Sequence, residues 1–264
     1  MQNMAFHNDG VNKLMGLDLF KERFANFKNE YVIIGGTACD LLLENAGLSF
    51  RATKDLDIVL IIEALSNEFC SELWSFINDG EYEVYRGKDD VKQFFRFSNP
   101  KNLNYPSMIE LLSRPNTDVD LFFGSKYISL STEDDLFSLS AILLNDSYYS
   151  FLRNGIERID GVQVLSPAYL IPLKMKAWLD NKSRREEGIK VNSRDIKKHK
   201  NDVFRLSRIV AETDLISVPL EVHSDIQLFV SMMREESLNL DDLQVYASKE
   251  DILNIFDKIY VLEN

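Results

Sequence analysis

The sequence predicts an α/β (α+β) protein: a small mixed sheet with flanking helices over residues 1–165, then a helical unit over 166–264. Three observations carry this. Tyr31–Ile34 is a short apolar run of β type, and Asp57–Ile62 is a β-branched run suited to a central strand. Between Tyr82 and Leu130, short strand patterns alternate with Pro100, Pro106 and Pro115, which disfavour long helices. After Ser166-Pro167 almost every segment has helical periodicity.

Taken in order, Val11–Phe27 has apolar residues near helical spacing. Strand Tyr31–Ile34 ends at Gly35-Gly36, and Thr37–Asn45 reads as a helix stopped by Gly47. Ala64–Ile77 is a further helix, closed by the turn signal Asn78-Asp79-Gly80. Strands are expected at Tyr82–Tyr85, Val91–Phe97, Ser107–Leu112 and Lys126–Leu130, followed by a helix over Glu133–Leu144. Gly155–Leu165 resembles a hairpin turning at Asp160-Gly161. Helices are then expected at Ala168–Asn181, Ser193–Glu212, Ser224–Glu236 and Lys249–Leu262, with the charged stretch Asn181–Asn192 as a mobile connection.

The bulk numbers narrow the function class. Of 264 residues, 45% are hydrophobic and 27% charged, the balance of a soluble globular chain. No apolar run approaches the roughly 20 residues needed to span a bilayer, and the first residues lack the order of a secretory signal. Cys39 and Cys70 lie among apolar neighbours without zinc-ligand spacing and read as reduced core residues of a cytoplasmic protein. A formal charge of −12 argues against a general electrostatic grip on nucleic acid. The charge is uneven, however. Lys182–Arg208 holds ten bases against four acids, a local net of +6, which favours a local anion site.

The chemistry concentrates between Tyr31 and Leu60. Gly35-Gly36 follows a strand and precedes a helix, so its amides can approach phosphate with the helix dipole behind them, and Thr37 can add a hydroxyl. A plain strand-to-helix turn would also use glycine there. Asp55 and Asp57 are two apart at a strand start, so both carboxylates share one face while Leu56 enters the core. Two adjacent carboxylates repel unless a cation sits between them, and magnesium takes one or two carboxylates plus water and phosphate oxygens. The bland reading is a solvated acidic turn. Neither GxxxxGK[ST] nor GxGxxG occurs, which disfavours both of those nucleotide folds.

The pattern Gly35-Gly36-Thr37, helix, Arg51-x-Thr53-x-Asp55-Leu56-Asp57-Ile58-Val59-Leu60 resembles the nucleotidyltransferase superfamily of the polymerase-β type. More narrowly it is similar to the AbiEii/AbiGii toxins of type IV toxin–antitoxin systems. Lys174 in one helix and Asp195, Lys198 and Asp202 in a later one resemble that group's later motifs. The resemblance covers about 31–206. It implies a nucleotidyltransferase core in which Asp55 and Asp57 bind Mg²⁺ or Mn²⁺ carrying an NTP. A third metal-binding carboxylate would come from a later strand, either Glu110, the preferred position, or Asp120. Gly35, Gly36, Thr37, Arg51, Thr53, Lys198, Asp195 and Asp202 are then the expected NTP-binding set, with Lys174 beside the catalytic acids. Expected partners are the NTP, an acceptor (RNA such as tRNA, or protein) and a cognate antitoxin. The alternatives are a non-catalytic NTP-binding or regulatory module on the same fold, and an acidic interaction protein whose motifs are coincidental. Lys174 carries weight outside the resemblance, because an ammonium in an apolar stretch is costly unless partnered.

Overall fold

The computed structural model describes residues 14–86, 93–114, 128–129 and 145–263. Asp120 and the expected Glu133–Leu144 helix lie outside the described residues. Helix α1 (Leu17–Phe24) leads to β1 (Tyr31–Ile34), α2 (Gly35–Asn45), β2 (Asp55–Leu60) and α3 (Asn67–Gly80). Strands β3 (Glu83–Arg86), β4 (Gln93–Ser98), β5 (Met108–Ser113) and β6 (Ile128–Ser129) follow. Helix α4 (Asp146–Arg153) precedes the hairpin β7 (Ile156–Ile159) and β8 (Val162–Leu165). The chain then runs α5 (Pro167–Glu186), α6 (Ser193–Leu206), β9 (Ile216–Val218), α7 (Leu220–Glu235), α8 (Lys249–Ile259) and β10 (Tyr260–Leu262).

The architecture is the mixed α/β arrangement expected, ending in a helical region. Among the described residues, eight strands form one sheet in the order β6-β3-β4-β5-β2-β1-β8-β7, and β9 and β10 pair in a small parallel ribbon. Strand β2 runs antiparallel to β1 and parallel to β5, which makes it central. Both its faces are covered, so Leu56, Ile58, Val59 and Leu60 are all buried, which explains a continuous apolar run instead of an alternating one. Rings of Phe20, Phe24, Tyr31, Phe69 and Phe76 meet edge-on or stacked under one face.

Local chemistry accounts for the element ends. Ser66 caps α3 by accepting from the Phe69 amide. The β7–β8 hairpin turns on Asp160 and Gly161, both at positive φ (48° and 90°), as a tight two-residue loop requires. Helix α5 contains Pro172, which has no N–H to give the Ala168 carbonyl; the Tyr260 hydroxyl donates to that oxygen instead at 2.7 Å. One expectation is corrected here. The connection is shorter than 181–192, because α5 continues to Glu186 and buries Asn181 completely, which leaves 187–192 to join it to α6. The charges at 182–186 belong to the last turns of that helix, which is packed on its other side.

No helix among the described residues is long and apolar enough to cross a membrane. Cys39 and Cys70 are both buried, and burial pushes the Cys39 thiol up to about 12.

Candidate active site

Sheet register assembles the site. Asp57 is paired with Ile34 of β1 on one side and with Glu110 of β5 on the other, and Glu110 is in turn paired with Arg96 of β4. Paired residues point to the same face, so Asp57, Glu110 and Arg96 form a row across three strands. Asp55 lies two residues along the same face of β2. Asp57 is 8% and Glu110 6% exposed, so this carboxylate pair is largely removed from water.

The glycine pair is part of that packing. Gly35 opens α2 with φ +69°, and a Cβ there would stand 1.6 Å from Asp57 Oδ2. The carboxylate therefore occupies the space a side chain would fill, and only glycine permits the approach. A Cβ on Gly36 would meet Thr53 Cγ2 at 3.1 Å. Both glycines lie inside the first turn of α2, so the helix begins ahead of the expected start at Thr37. Thr37 is fully buried and its hydroxyl donates to the Asp55 carbonyl at 2.7 Å, with the Thr53 hydroxyl 3.3 Å away. The Thr37 hydroxyl thus ties α2 to the start of β2.

Crowding of carboxylates has an electrostatic consequence. Burial, and then the Asp57 carboxylate, hold the Glu110 carboxyl well above the usual range, although Arg96 opposes the effect. Burial and Asp57 likewise push Asp55 up. Arg96 reaches Glu110 Oε1 through Nη2 at 3.0 Å and Nε at 3.2 Å. Arg96 is absent from the expected set. Its signal is in the sequence Gln-Phe-Phe-Arg-Phe-Ser, where alternation sets it on the face opposite Phe95 and Phe97.

Opposite the acids, α6 and α5 deliver positive charge. A cleft of about 210 Å³ is lined by Gly36, Arg51, Thr53, Lys54, Asp55, Asp57 and Lys198. Behind it lies Asp202, fully buried, which holds three cations. Arg51 Nη2 is 3.1 Å from Oδ2, Lys174 Nζ 3.5 Å from Oδ2 and Arg205 Nη1 3.4 Å from Oδ1. Burial alone would raise the Asp202 carboxyl, but Lys174 and Arg51 together hold it below its ordinary value. Arg51 also lies over the Phe50 ring at 4.9 Å.

The structure therefore brings Gly35, Gly36, Arg51, Thr53, Asp55, Asp57, Glu110 and Lys198 to one place. Lys174 and Asp202 stand directly behind as a buried pair. Asp195 lies in the first turn of α6, half-buried, and makes no ion pair among the described residues.

The donor set bears on a metal. Among the described residues no three His, Cys, Asp or Glu side chains are grouped so as to hold an ion. Of the acids, Glu110 is engaged by Arg96 at 3.0 Å. Asp55 and Asp57 remain as a two-carboxylate set beside the cleft. That suits Mg²⁺ or Mn²⁺, which accept one or two carboxylates and complete their shell with water and phosphate oxygens. A cation shared by the two would relieve the repulsion that helps push the Asp55 carboxyl up.

No protein-family model matches the chain, and no curated protein matches it. Among solved structures it is similar to an antigenic nucleotidyltransferase-like protein from Paracoccidioides brasiliensis. That match has 14% identity and a TM-score of 0.41, over 89% of this chain and 94% of that one. It is also similar to JHP933 from Helicobacter pylori, at 14% identity and a TM-score of 0.40, over 96% and 90% of the two chains. A third similar structure is MenT4, a nucleotidyltransferase toxin from Mycobacterium tuberculosis, at 14% identity and a TM-score of 0.23, over 95% and 91%.

Proposed function

We propose that the chain is a metal-dependent nucleotidyltransferase, moving a nucleotide from an NTP to RNA such as tRNA or to a protein side chain. We further propose that it is an AbiEii/AbiGii-type toxin of the cytoplasm, held in check by a cognate antitoxin. The observation that carries the reading is the seat of Asp57, wedged between Gly35 and Glu110 on the face it shares with Asp55. A solvated acidic turn would leave these carboxylates in water, whereas Asp57 and Glu110 are buried side by side, and such perturbed carboxylates cluster at functional sites. Residues 1–165 and 166–264 are taken as the two walls of the cleft.

Asp55 and Asp57 would hold Mg²⁺ or Mn²⁺, with the remaining positions left to water and phosphate oxygens. The ion supplies Lewis-acid polarisation of the triphosphate and neutralises its charge. The chain's own groups do the rest. The Gly36 backbone lines the cleft at the start of α2, where phosphate oxygens would approach, while Gly35 makes room for Asp57. Lys198 and Arg51 at the cleft offset the charge that builds on the leaving group. Asp202 aims Arg51 and pairs with Lys174 in an apolar helix interface. The acceptor hydroxyl oxygen bonds to the α-phosphorus, the α–β P–O bond breaks and pyrophosphate leaves. The hydroxyl proton passes to Glu110, which Arg96 holds in line with Asp57.

Calorimetric titration with each NTP, with and without Mg²⁺, tests the reading. A Mg²⁺-dependent component of the binding should appear and be lost in Asp57→Asn with the fold retained. A wild-type protein that takes up no NTP in the presence of Mg²⁺ sinks it. The engagement of Glu110 by Arg96 favours one second reading, a non-catalytic NTP-binding or regulatory module on the same fold. It predicts the same titration with no pyrophosphate release.

A further inference from the structure

We infer that a separate groove on α6 is a second anion site, taking a phosphate-bearing ligand of nucleotide size. Ile196 and Lys200 line this groove and lie roughly 160° around the helix from Lys198, which faces the acidic cleft. Its volume is about 770 Å³, against about 210 Å³ for the cleft. That falls within the roughly 300–1,000 Å³ of small-molecule sites. The floor is apolar, from Ile196, Leu238, Leu243 and the buried edge of Trp178.

Charge selects the ligand. Five cationic side chains and three acidic ones line the groove, a positive surplus in a chain of net charge −12. The acids are Glu186, Asp242 and Glu236. Glu236 carries a Lys182 ammonium on Oε1 at 3.2 Å and a Lys200 ammonium on Oε2 at 3.3 Å. Its carboxylate therefore sits where two ammonium groups converge, the position an incoming phosphate would contest. Arg205 is committed to Asp202. Arg185 and Lys197 line the groove and make no ion pair among the described residues, so both remain to meet an anion.

The apolar floor points to more than a bare anion. A nucleotide offers both parts: phosphate for the cations, and a base or ribose to lie over Ile196, Leu238 and Leu243. A free mononucleotide and one unit of an RNA strand share this chemistry.

This inference stands apart from the nucleotidyl-transfer reading, and one experiment separates the two. Titrate AMP and a single-stranded hexaribonucleotide into the full chain in EDTA, where the acidic cleft lacks its ion. Wild type and Asp57→Asn should bind alike. The double variant Arg185→Glu/Lys197→Glu, both exposed positions, should bind at least about tenfold more weakly. Glu236→Gln, which releases Lys182 and Lys200, should bind several-fold more tightly. Preference for AMP identifies a free nucleotide as the ligand, and preference for the oligomer an RNA strand. No binding of either probe, loss of binding in Asp57→Asn, or unchanged or weaker binding in Glu236→Gln overturns the proposal.

Discussion

A methyl group on Gly35 would stand 1.6 Å from Asp57 Oδ2, on a backbone with φ +69°. The start of α2 and the acid of β2 therefore share one volume. Gly35→Ala must shift the carboxylate or the helix, and it also meets the left-handed backbone penalty of about 1–2 kcal/mol. The expected loss is at least about 2 kcal/mol of unfolding free energy, with a drop in Mg²⁺-dependent NTP binding larger than the stability loss alone explains. Urea denaturation and calorimetry on the same variant check both parts.

Asp202 is the second joint. It is fully buried and holds Lys174, itself 4% exposed at the side chain, with Arg51 and Arg205 around it. Asp202→Ala leaves a buried ammonium without a counter-charge, a change that costs about 3–5 kcal/mol. Lys174→Met combined with Asp202→Leu should regain much of that stability while leaving Arg51 unaimed. The check is urea denaturation of the single and double variants. Equal losses in both would contradict the assignment of Lys174–Asp202 as a coupled pair.

Glu110 sets a pH dependence of known sign. Its folded pKa is raised well above 4.5, so the folded chain holds the proton more tightly than the unfolded one. Ionisation therefore costs stability as pH rises: the penalty is absent below the unfolded value and grows from there up to the folded pKa. Asp55 acts in the same direction. Urea midpoints of wild type and Glu110→Gln, compared at about pH 5 and about pH 8, should diverge in favour of the variant as pH increases. The pH slope is the readout, because the variant also changes the bond to Arg96. A parallel pair of slopes would remove Glu110 from the electrostatic account.

Much of this site is legible in the sequence. Period-two alternation puts Asp55 and Asp57 on one face, and glycine after a strand marks a close approach. That the approach is to Asp57 itself is not legible there, since it depends on β1 and β2 pairing antiparallel at Ile34 and Asp57. The same holds for Arg96. Alternation sets it apart from its two phenylalanines, but only the β4–β5 register puts it on Glu110. Helical spacing puts Asp202 on one face with Asp195 and Lys198, yet says nothing about partners on other elements. Its cations come from Arg51 in the α2–β2 connection and from Lys174 on α5. The charged stretch at 181–186 misleads because composition reports the exposed face of α5 and not the packed Asn181 beneath it.

The central claim is that Asp55 and Asp57 serve transfer of a nucleotide and not of a terminal phosphate. Parallel incubations with α-labelled and γ-labelled NTPs, with Mg²⁺ and with total RNA or lysate protein, test it most directly. The account predicts that only the α label reaches an acceptor, that the γ label leaves as pyrophosphate, and that Asp57→Asn abolishes both. Transfer of the γ label, or α-label transfer that persists undiminished in Asp57→Asn, would contradict it.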